Sequence, residues 1–465
     1  MSSNDDALWR RSASELAALI RSREVSSREV VTAHLERIEA VNGSIHAVTQ
    51  VLAESALAAA DAADRSEPSG PLHGVPFTIK ENIDLAGTPT TQGVPALAQA
   101  VASVDAPVVE RMKAAGAIAL ARTNLPEFGL RISTVNPLHG RTFNPWDRER
   151  VAGGSSGGEG AALATGMSCI GLGNDIGGSL RNPAYCNGIA SLKPSTGRIP
   201  HYMSMPPQDG GMAFQAMLVE GPMARSVADL RLALTILAGR DIRDPVSVDV
   251  PLAGAAVARR AVLVTELPGC PIEPATVAAV REAGRALTAA GWEVIEDVPP
   301  EIETVNEIWG RTLAQDLVVT MPLMEQVISP ELAVGLRQLF ERFDPEAVPG
   351  AVVNAERSRL SRLWSIYFAQ HPVVIGPTWT GLPFAHDADL DPETGMALLT
   401  GTLRFITPGN LLGIPAVCVP CGIEGGLPRG VQIYADRWRE DVCLQAAEII
   451  EAAMPPVCPI DPRWA

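Results

Sequence analysis

Residues 171–188 read GLGNDIGGSLRNPAYCNG, placing Gly177 and Gly178 directly before Ser179, with Asp175 four residues ahead of it. Glycine has no Cβ, so backbone N–H groups there approach a bound group closely. A hydroxyl beside exposed N–H donors is half of an acyl-transfer site, a nucleophile next to an oxyanion hole. The same letters also describe a tight turn between two packed elements. Upstream, NPWDRERVAGGSSGGEGAALATGM (144–167) reads as a polar loop, a glycine-rich turn and a helix of small residues suited to close packing on a sheet. SCIGLGNDIGGS then returns the chain to strand and loop.

Further out, GVPFTIKEN (74–82) alternates, with Val75, Phe77 and Ile79 on one face and Thr78 and Lys80 on the other. This pattern predicts a buried strand with Lys80 near its C-terminal end, where sites form in open α/β sheets. Toward the N-terminus, ASELAALIRS and residues 26–42 read as helices, the second opened by a Ser26/Glu29 capping box. The SEPSGP segment (66–71) is a short linker into the α/β part. Toward the C-terminus, residues 225–239 predict an amphipathic helix and 259–298 a β-α-β unit. Residues 300–370 read as a mostly helical cover. HPVVIGPTW and GIPAVCVPCG are late strands, and REDVCLQAAEIIEAAM is a closing helix.

The 465 residues are 46% hydrophobic and 19% charged, with a net charge of -16, which argues against non-specific binding to nucleic acid or anionic membrane. The opening MSSNDDALWRR has no apolar core of a signal peptide, and no run is long enough to span a membrane. Seven scattered cysteines suit a reducing cytoplasm, and Cys418/Cys421, a lone CxxC, reads as a strand end plus a loop. Only three lysines, Lys80, Lys113 and Lys193, stand among 37 basic residues. Lysine loses its proton when buried and arginine does not, so the scarce lysines mark positions where a base could be needed. Lys113 reads as a charged helix face and Lys193, before Pro194, as a structural anchor.

GGSSG (153–157) matches the nucleophile-elbow pattern, but the residues before it make a poor strand. DADLDPETG (387–395) starts like a calcium loop and then breaks the pattern at Pro392 and Leu398. None of the seven histidines has a motif context. A desolvated lysine can serve a serine in their place, and Lys80, Ser155 and Ser179 are the candidates.

The segment GGSSGGEGAALATGMSCIGLGNDIGGSLRNPAYCNGIASLKPSTGR resembles the core of the amidase signature family of serine hydrolases. The resemblance continues through LHGVPFTIKENIDLAGTPTT, AGAIALARTNLPEFG, NPWD, EGPMARSVADL and TPGNLLGIPAVCVPCG, and is weakest at about 240–370. It implies an α/β fold with a large mixed, mostly parallel sheet flanked by helices on both faces. It implies one domain over 1–465, with a helical region at 1–65, the signature core at 66–240 and the cover at 300–370 lying over the site. Ser179 is then the acylated nucleophile, Ser155 a bridging serine on a cis peptide, and Lys80 the base. The N–H groups of Ile176, Gly177, Gly178 and Ser179 form the oxyanion hole, with Asp175, Arg181 and Ser156 in support. No metal or cofactor is expected.

Four positions depart from the family pattern: Ala152 for proline, Asn174 for threonine, Arg122 for lysine, and His371-Pro372 for aspartate. None is expected to touch the three catalytic side chains. Gly129, Leu130 and Ile132 give the acyl pocket an apolar wall, while Arg131 could point either way. The expected reaction is cleavage of the C–N bond of a small to medium neutral amide, aryl amides included, with carbamate (urethane) or ester cleavage beside it. The alternative is an amidotransferase-like subunit dependent on partner proteins, although RSRLSRLWSIYFAQHP (357–372) replaces that subunit's usual stretch. The expected partner is a small molecule, neither nucleic acid nor membrane, with a homodimer as the assembly.

Overall fold

Alternation decides how the central strands pack. In Val373–Pro377, Val373 and Ile375 point into one apolar core and Val374 into another, so both faces of the strand are covered. The computed structural model describes residues 7–205 and 209–464. The first six residues of the acidic N-terminal stretch lie outside the described residues. The strands are β1 Val48–Val51, β2 Pro76–Lys80, β3 Ile118–Thr123, β4 Val135–Asn136, β5 Gly140–Arg141, β6 Ile170–Asp175, β7 Ala190–Lys193, β8 Val219–Ala224, β9 Arg260–Leu263, β10 Glu293–Glu296, β11 Val373–Pro377, β12 Ala416–Glu424 and β13 Leu427–Tyr434. Eleven of them form one sheet in the order β1-β3-β2-β6-β8-β7-β12-β13-β11-β9-β10, while β4 and β5 pair separately.

The sheet is mixed and lies between helical layers, as expected, but it is not mostly parallel. Four ladders are parallel and six antiparallel. One reason is local. β12 and β13 are joined by Gly425 and Gly426 alone, both at positive φ, and a two-residue turn of that kind can only link antiparallel strands. Cys418 and Cys421 both lie buried inside β12, not at a strand end.

One face is covered by helices Ala13–Arg21, Pro107–Ala114, Val227–Leu237, Pro274–Ala289 and Glu440–Ala453, whose apolar sides meet Phe77, Ile79, Val373 and Ile375. The other face carries Arg181–Asn187 and three long helices, Ile302–Met324, Pro330–Arg342 and Gly350–Gln370. The helix Ser27–Ile45 opens with the expected box: Ser26 Oγ accepts from the Glu29 N–H and the Glu29 carboxylate from the Ser26 N–H. Gly157–Ala164 is buried along its whole length, because glycine and alanine let it sink against the sheet. β9, helix Pro274–Ala289 and β10 form the parallel β-α-β unit read from the sequence.

Parallel pairing of β2 with β6 sets Thr78 beside Gly171 and Ile79 beside Leu172. Both strands therefore end on the same edge of the sheet, which brings Lys80 to the start of the 174–179 loop.

Candidate active site

Lys80 is completely buried at the end of β2. Its Nζ donates to Ser155 Oγ at 2.6 Å and to Asn174 Oδ1 at 2.7 Å. Burial pushes its pKa down to about 7, against the opposing pull of Glu220, Asp175 and Glu159. Near neutrality much of this lysine is an uncharged amine. Glu159 lies on the buried small-residue helix and accepts from Thr78 and Thr123, and burial pushes its carboxyl up to about 7.

Ser155 sits in a turn whose Gly154–Ser155 peptide is cis. Thr134 Oγ1 donates to the Gly153 carbonyl at 2.9 Å and accepts from the Gly157 N–H at 3.1 Å, and Asn182 Nδ2 donates to the Gly154 carbonyl at 3.1 Å. The Ser156 N–H donates to the Ser179 carbonyl at 3.2 Å, joining the two serine turns. Ser156 meets the site through its backbone, since its buried hydroxyl has no partner among the described residues. No strand leads into Ser155: Arg150 and Val151 form only isolated bridges, and a helix follows from Gly157. Among the described residues no histidine is bonded to either serine. His139 pairs with Glu81 and His201 with Glu220.

The Ser179 loop is built around Asp175. Its carboxylate accepts from the Gly178 N–H at 2.7 Å, the Leu180 N–H at 3.2 Å, Asn410 Nδ2 at 2.8 Å, and Arg181 Nε and Nη2, each at 3.0 Å. Arg181 also donates to Ile406, Gln432, Tyr434 and Asn410. Burial alone would raise the Asp175 carboxyl, but the Arg181 guanidinium holds it well below the usual carboxylate range. Asp175 thus remains charged and rigidly held.

This network corrects the expected set of oxyanion donors. The Gly178 N–H is committed to Asp175, because the carboxylate that shapes the loop needs that amide. Ile176, Gly177 and Ser179 line the adjoining cavity, and their N–H groups meet no protein acceptor among the described residues. Asn174 is a second correction: a departure expected to stay clear of the catalytic side chains touches Lys80 itself. Its amide can reach Lys80 because β6 runs parallel beside β2. Asn82 holds it from the other side, accepting from Asn174 Nδ2 at 3.0 Å.

The cavity over Ser179 encloses about 780 Å³ of empty space, its open mouth included. Gly129, Leu130 and Ile132 are in its wall, and the cover supplies Trp309, Leu313, Leu332 and Leu336. Arg131 and Asp389 are the charged members of the wall, and they neutralise one another through bonds of 3.0 and 2.8 Å. The acidic 387–389 segment therefore serves Arg131 and Arg141. Trp309, Asn82, Glu159 and Glu220 were not singled out from sequence. The aligned pattern of β2, β6 and β8 could have flagged Glu220, which sits opposite Asn174. No cluster of His, Cys, Asp or Glu among the described residues is arranged to hold a metal.

A family model described as Amidase matches residues 29–444. Indoleacetamide hydrolase of Bradyrhizobium diazoefficiens is 42% identical over 96% of this chain and 86% of its own. A glutamyl-tRNA(Gln) amidotransferase subunit of Salinispora arenicola is 33% identical over 96% of this chain and 98% of its own. Among solved structures, a bacterial aryl acylamidase of the amidase signature enzymes superposes with a TM-score of 0.81 at 27% identity, covering 96% of each chain.

Proposed function

Because this chain belongs to the amidase family, a hydrolase family acting on non-peptide C–N bonds, we propose that it cleaves neutral aryl or arylalkyl amides of the indoleacetamide kind through a Ser179 acyl-enzyme. The observation that carries this reading is the buried Lys80–Ser155 contact of 2.6 Å, in a turn bonded through the Ser156 N–H to the Ser179 carbonyl, with Ser179 lining an apolar, charge-neutral cavity.

Neutral Lys80 takes the Ser155 proton as Ser155 takes that of Ser179. Ser179 Oγ attacks the amide carbonyl, and its oxygen gathers charge against the N–H groups of Ile176, Gly177 and Ser179. Lys80 returns the proton through Ser155 to the departing nitrogen. The C–N bond breaks and an ester on Ser179 remains. Water, deprotonated by the same pair, then releases the acid. Asn174 Oδ1 takes no proton. It fixes the ammonium and amine forms in one place. Asp175 and Arg181 hold the loop so that little reorganisation is needed when charge develops.

The apolar walls suit an aromatic or aliphatic acyl group, and the Arg131–Asp389 pair leaves no free charge to read a carboxylate. Carbamates and esters present the same carbonyl and belong to the proposal as further substrates, as do a cytoplasmic location and a homodimer. The relative that serves in an amidotransferase is less similar than the indoleacetamide hydrolase, which favours independent hydrolysis. The test is labelling with a fluorophosphonate, peptide mapping, and a panel of neutral and carboxylate-bearing amides. A single adduct on Ser179, lost in Lys80→Ala, with preference for neutral aryl amides is expected. An adduct on Ser155 instead, or no amide turnover by the isolated protein, refutes the reading.

A further inference from the structure

We propose that Trp309, carried by the cover helix Ile302–Met324, is a positioning residue that aims the Gly177 N–H at the developing oxyanion. The inference rests on the acyl-enzyme reading above and adds to it a role for the cover. Trp309 Nε1 donates to the Ile176 carbonyl at 3.0 Å. That carbonyl shares its peptide plane with the Gly177 N–H. In a trans peptide the C=O and N–H vectors point in opposite directions, so holding the carbonyl outward holds the N–H on the other side of the loop. A carbonyl that accepts a hydrogen bond also polarises its own amide and strengthens the N–H as a donor.

The next plane is fixed differently. The Gly177 carbonyl accepts from Asn182 Nδ2 at 3.2 Å, and the Gly178 N–H on the same plane donates to Asp175. Two successive planes of the loop are therefore locked, one by the core and one by the cover. The indole also lies against Gly177 so closely that a Cβ there would stand 2.8 Å from Cζ2, which explains why this position must lack a side chain. Trp309 lines the acyl cavity together with Leu313 and Leu317 of the same helix. An acyl group that displaces this wall also loosens the plane that presents the donor, so acyl-group fit is read out in turnover as well as in binding.

The experiment compares wild type with Trp309→Phe, which keeps an aromatic wall and deletes the N–H. A second protein carries 3-benzothienylalanine at this position, which replaces Nε1–H by sulfur in the same outline. Loss of an entire oxyanion donor costs about 10²–10³ in kcat, so misaligning one is expected to cost about 10-fold in kcat. KM for a neutral amide should stay within about twofold, because the ground-state carbonyl uses the donor little. Affinity for a trifluoromethyl ketone, which forms a tetrahedral adduct, should weaken by the same factor as kcat/KM. Unchanged kcat with a raised KM, or unchanged trifluoromethyl ketone affinity, overturns the proposal and leaves Trp309 a packing residue. If Trp309→Phe fails to fold, the benzothienylalanine protein decides between the same two outcomes. Fluorophosphonate labelling separates the premises: slower labelling still on Ser179 in the variants supports the inference. Absence of Ser179 labelling in wild type overturns the acyl-enzyme reading and the inference with it.

Discussion

Lys80 should impose a single ionisation near pH 7 on kcat/KM, with activity rising as pH rises. Its ordinary pKa of 10.5 is pushed down to about 7 by burial. An unshifted lysine would be neutral in only about 3 molecules in 10,000 at pH 7, whereas this one is about half neutral, a gain of roughly 1,500-fold in working base. The sign follows from the role. The base must be unprotonated, so activity is lost as pH falls. Between pH 5 and pH 7 kcat/KM should climb about 50-fold, and above pH 8 it should be flat. Lys80→Arg keeps a positive charge that cannot be given up, so it should lose at least about 10³ in kcat/KM at every pH.

Initial rates on a neutral amide in constant-ionic-strength buffers, from pH 5 to 9.5, give the profile. Glu159 also titrates near 7, and two measurements separate it from Lys80. An ammonium pKa falls on warming while a carboxyl pKa hardly moves, so the limb should shift to lower pH with temperature. In Glu159→Gln the limb should survive at lower pH, because the carboxylate there favours the charged lysine. A limb centred near pH 10, a limb abolished by Glu159→Gln, or an active Lys80→Arg enzyme would refute the assignment of Lys80 as base.

Glu220 is the largest charge favouring the ammonium form of Lys80, so Glu220→Gln should also move the acid limb to lower pH, read from the same rate profile. Asp175→Asn leaves Arg181 buried without its counter-charge, which should cost about 3–5 kcal/mol by denaturant unfolding and about 10² or more in kcat; a variant of wild-type stability would show that the pair does not hold the loop. Asp389→Asn combined with Asp387→Asn removes both carboxylates that pair with Arg131 and leaves its guanidinium uncompensated in the cavity wall, so relative kcat/KM for an amide with a distal carboxylate on its acyl group should rise about 10-fold over the neutral one.

What the sequence disclosed was mostly local. The capping box at Ser26 and Glu29, the alternation in 74–82 and the small-residue helix after Ser156 each rest on neighbours within a few positions. Ser155 and Ser179 became candidates because glycine turns leave a dense local signal. The reading went astray where partners are distant in the chain. Sheet direction depended on strands such as β13, whose Pro428 and Gly430 dilute its alternation. Asn174 looked clear of the catalytic side chains, since only strand pairing 94 residues apart brings it to Lys80. Gly178 could be assigned to the oxyanion hole until the Asp175 carboxylate was seen to occupy its N–H. The cover at 300–370 yielded no site residue, because Trp309 resembles any other core aromatic on an apolar helix face.

Lysine scarcity is the instructive case, because it pointed to a kind of residue and could not choose among three. Lys113 is paired with Asp105 at the surface, at 2.7 Å, where arginine would serve as well. Lys193 is as buried as Lys80, and burial, helped by the charge of Arg181, also pushes it down to about 7. A depressed pKa therefore fails to separate the two. Their hydrogen bonds do. Lys193 Nζ donates at 2.7 Å to the carbonyl of Pro194, an acceptor with no proton to give, so a neutral amine there has nothing to deprotonate. Lys80 Nζ lies 2.6 Å from a hydroxyl, which can hand its proton over. Arg122, one strand away, shows the opposite solution. Buried against the Ile83 carbonyl and Thr88, its pKa falls only to about 10, so it stays charged and structural at neutral pH. A base at this position requires lysine chemistry, burial and a proton-bearing neighbour together, and among the three lysines only Lys80 has all of these.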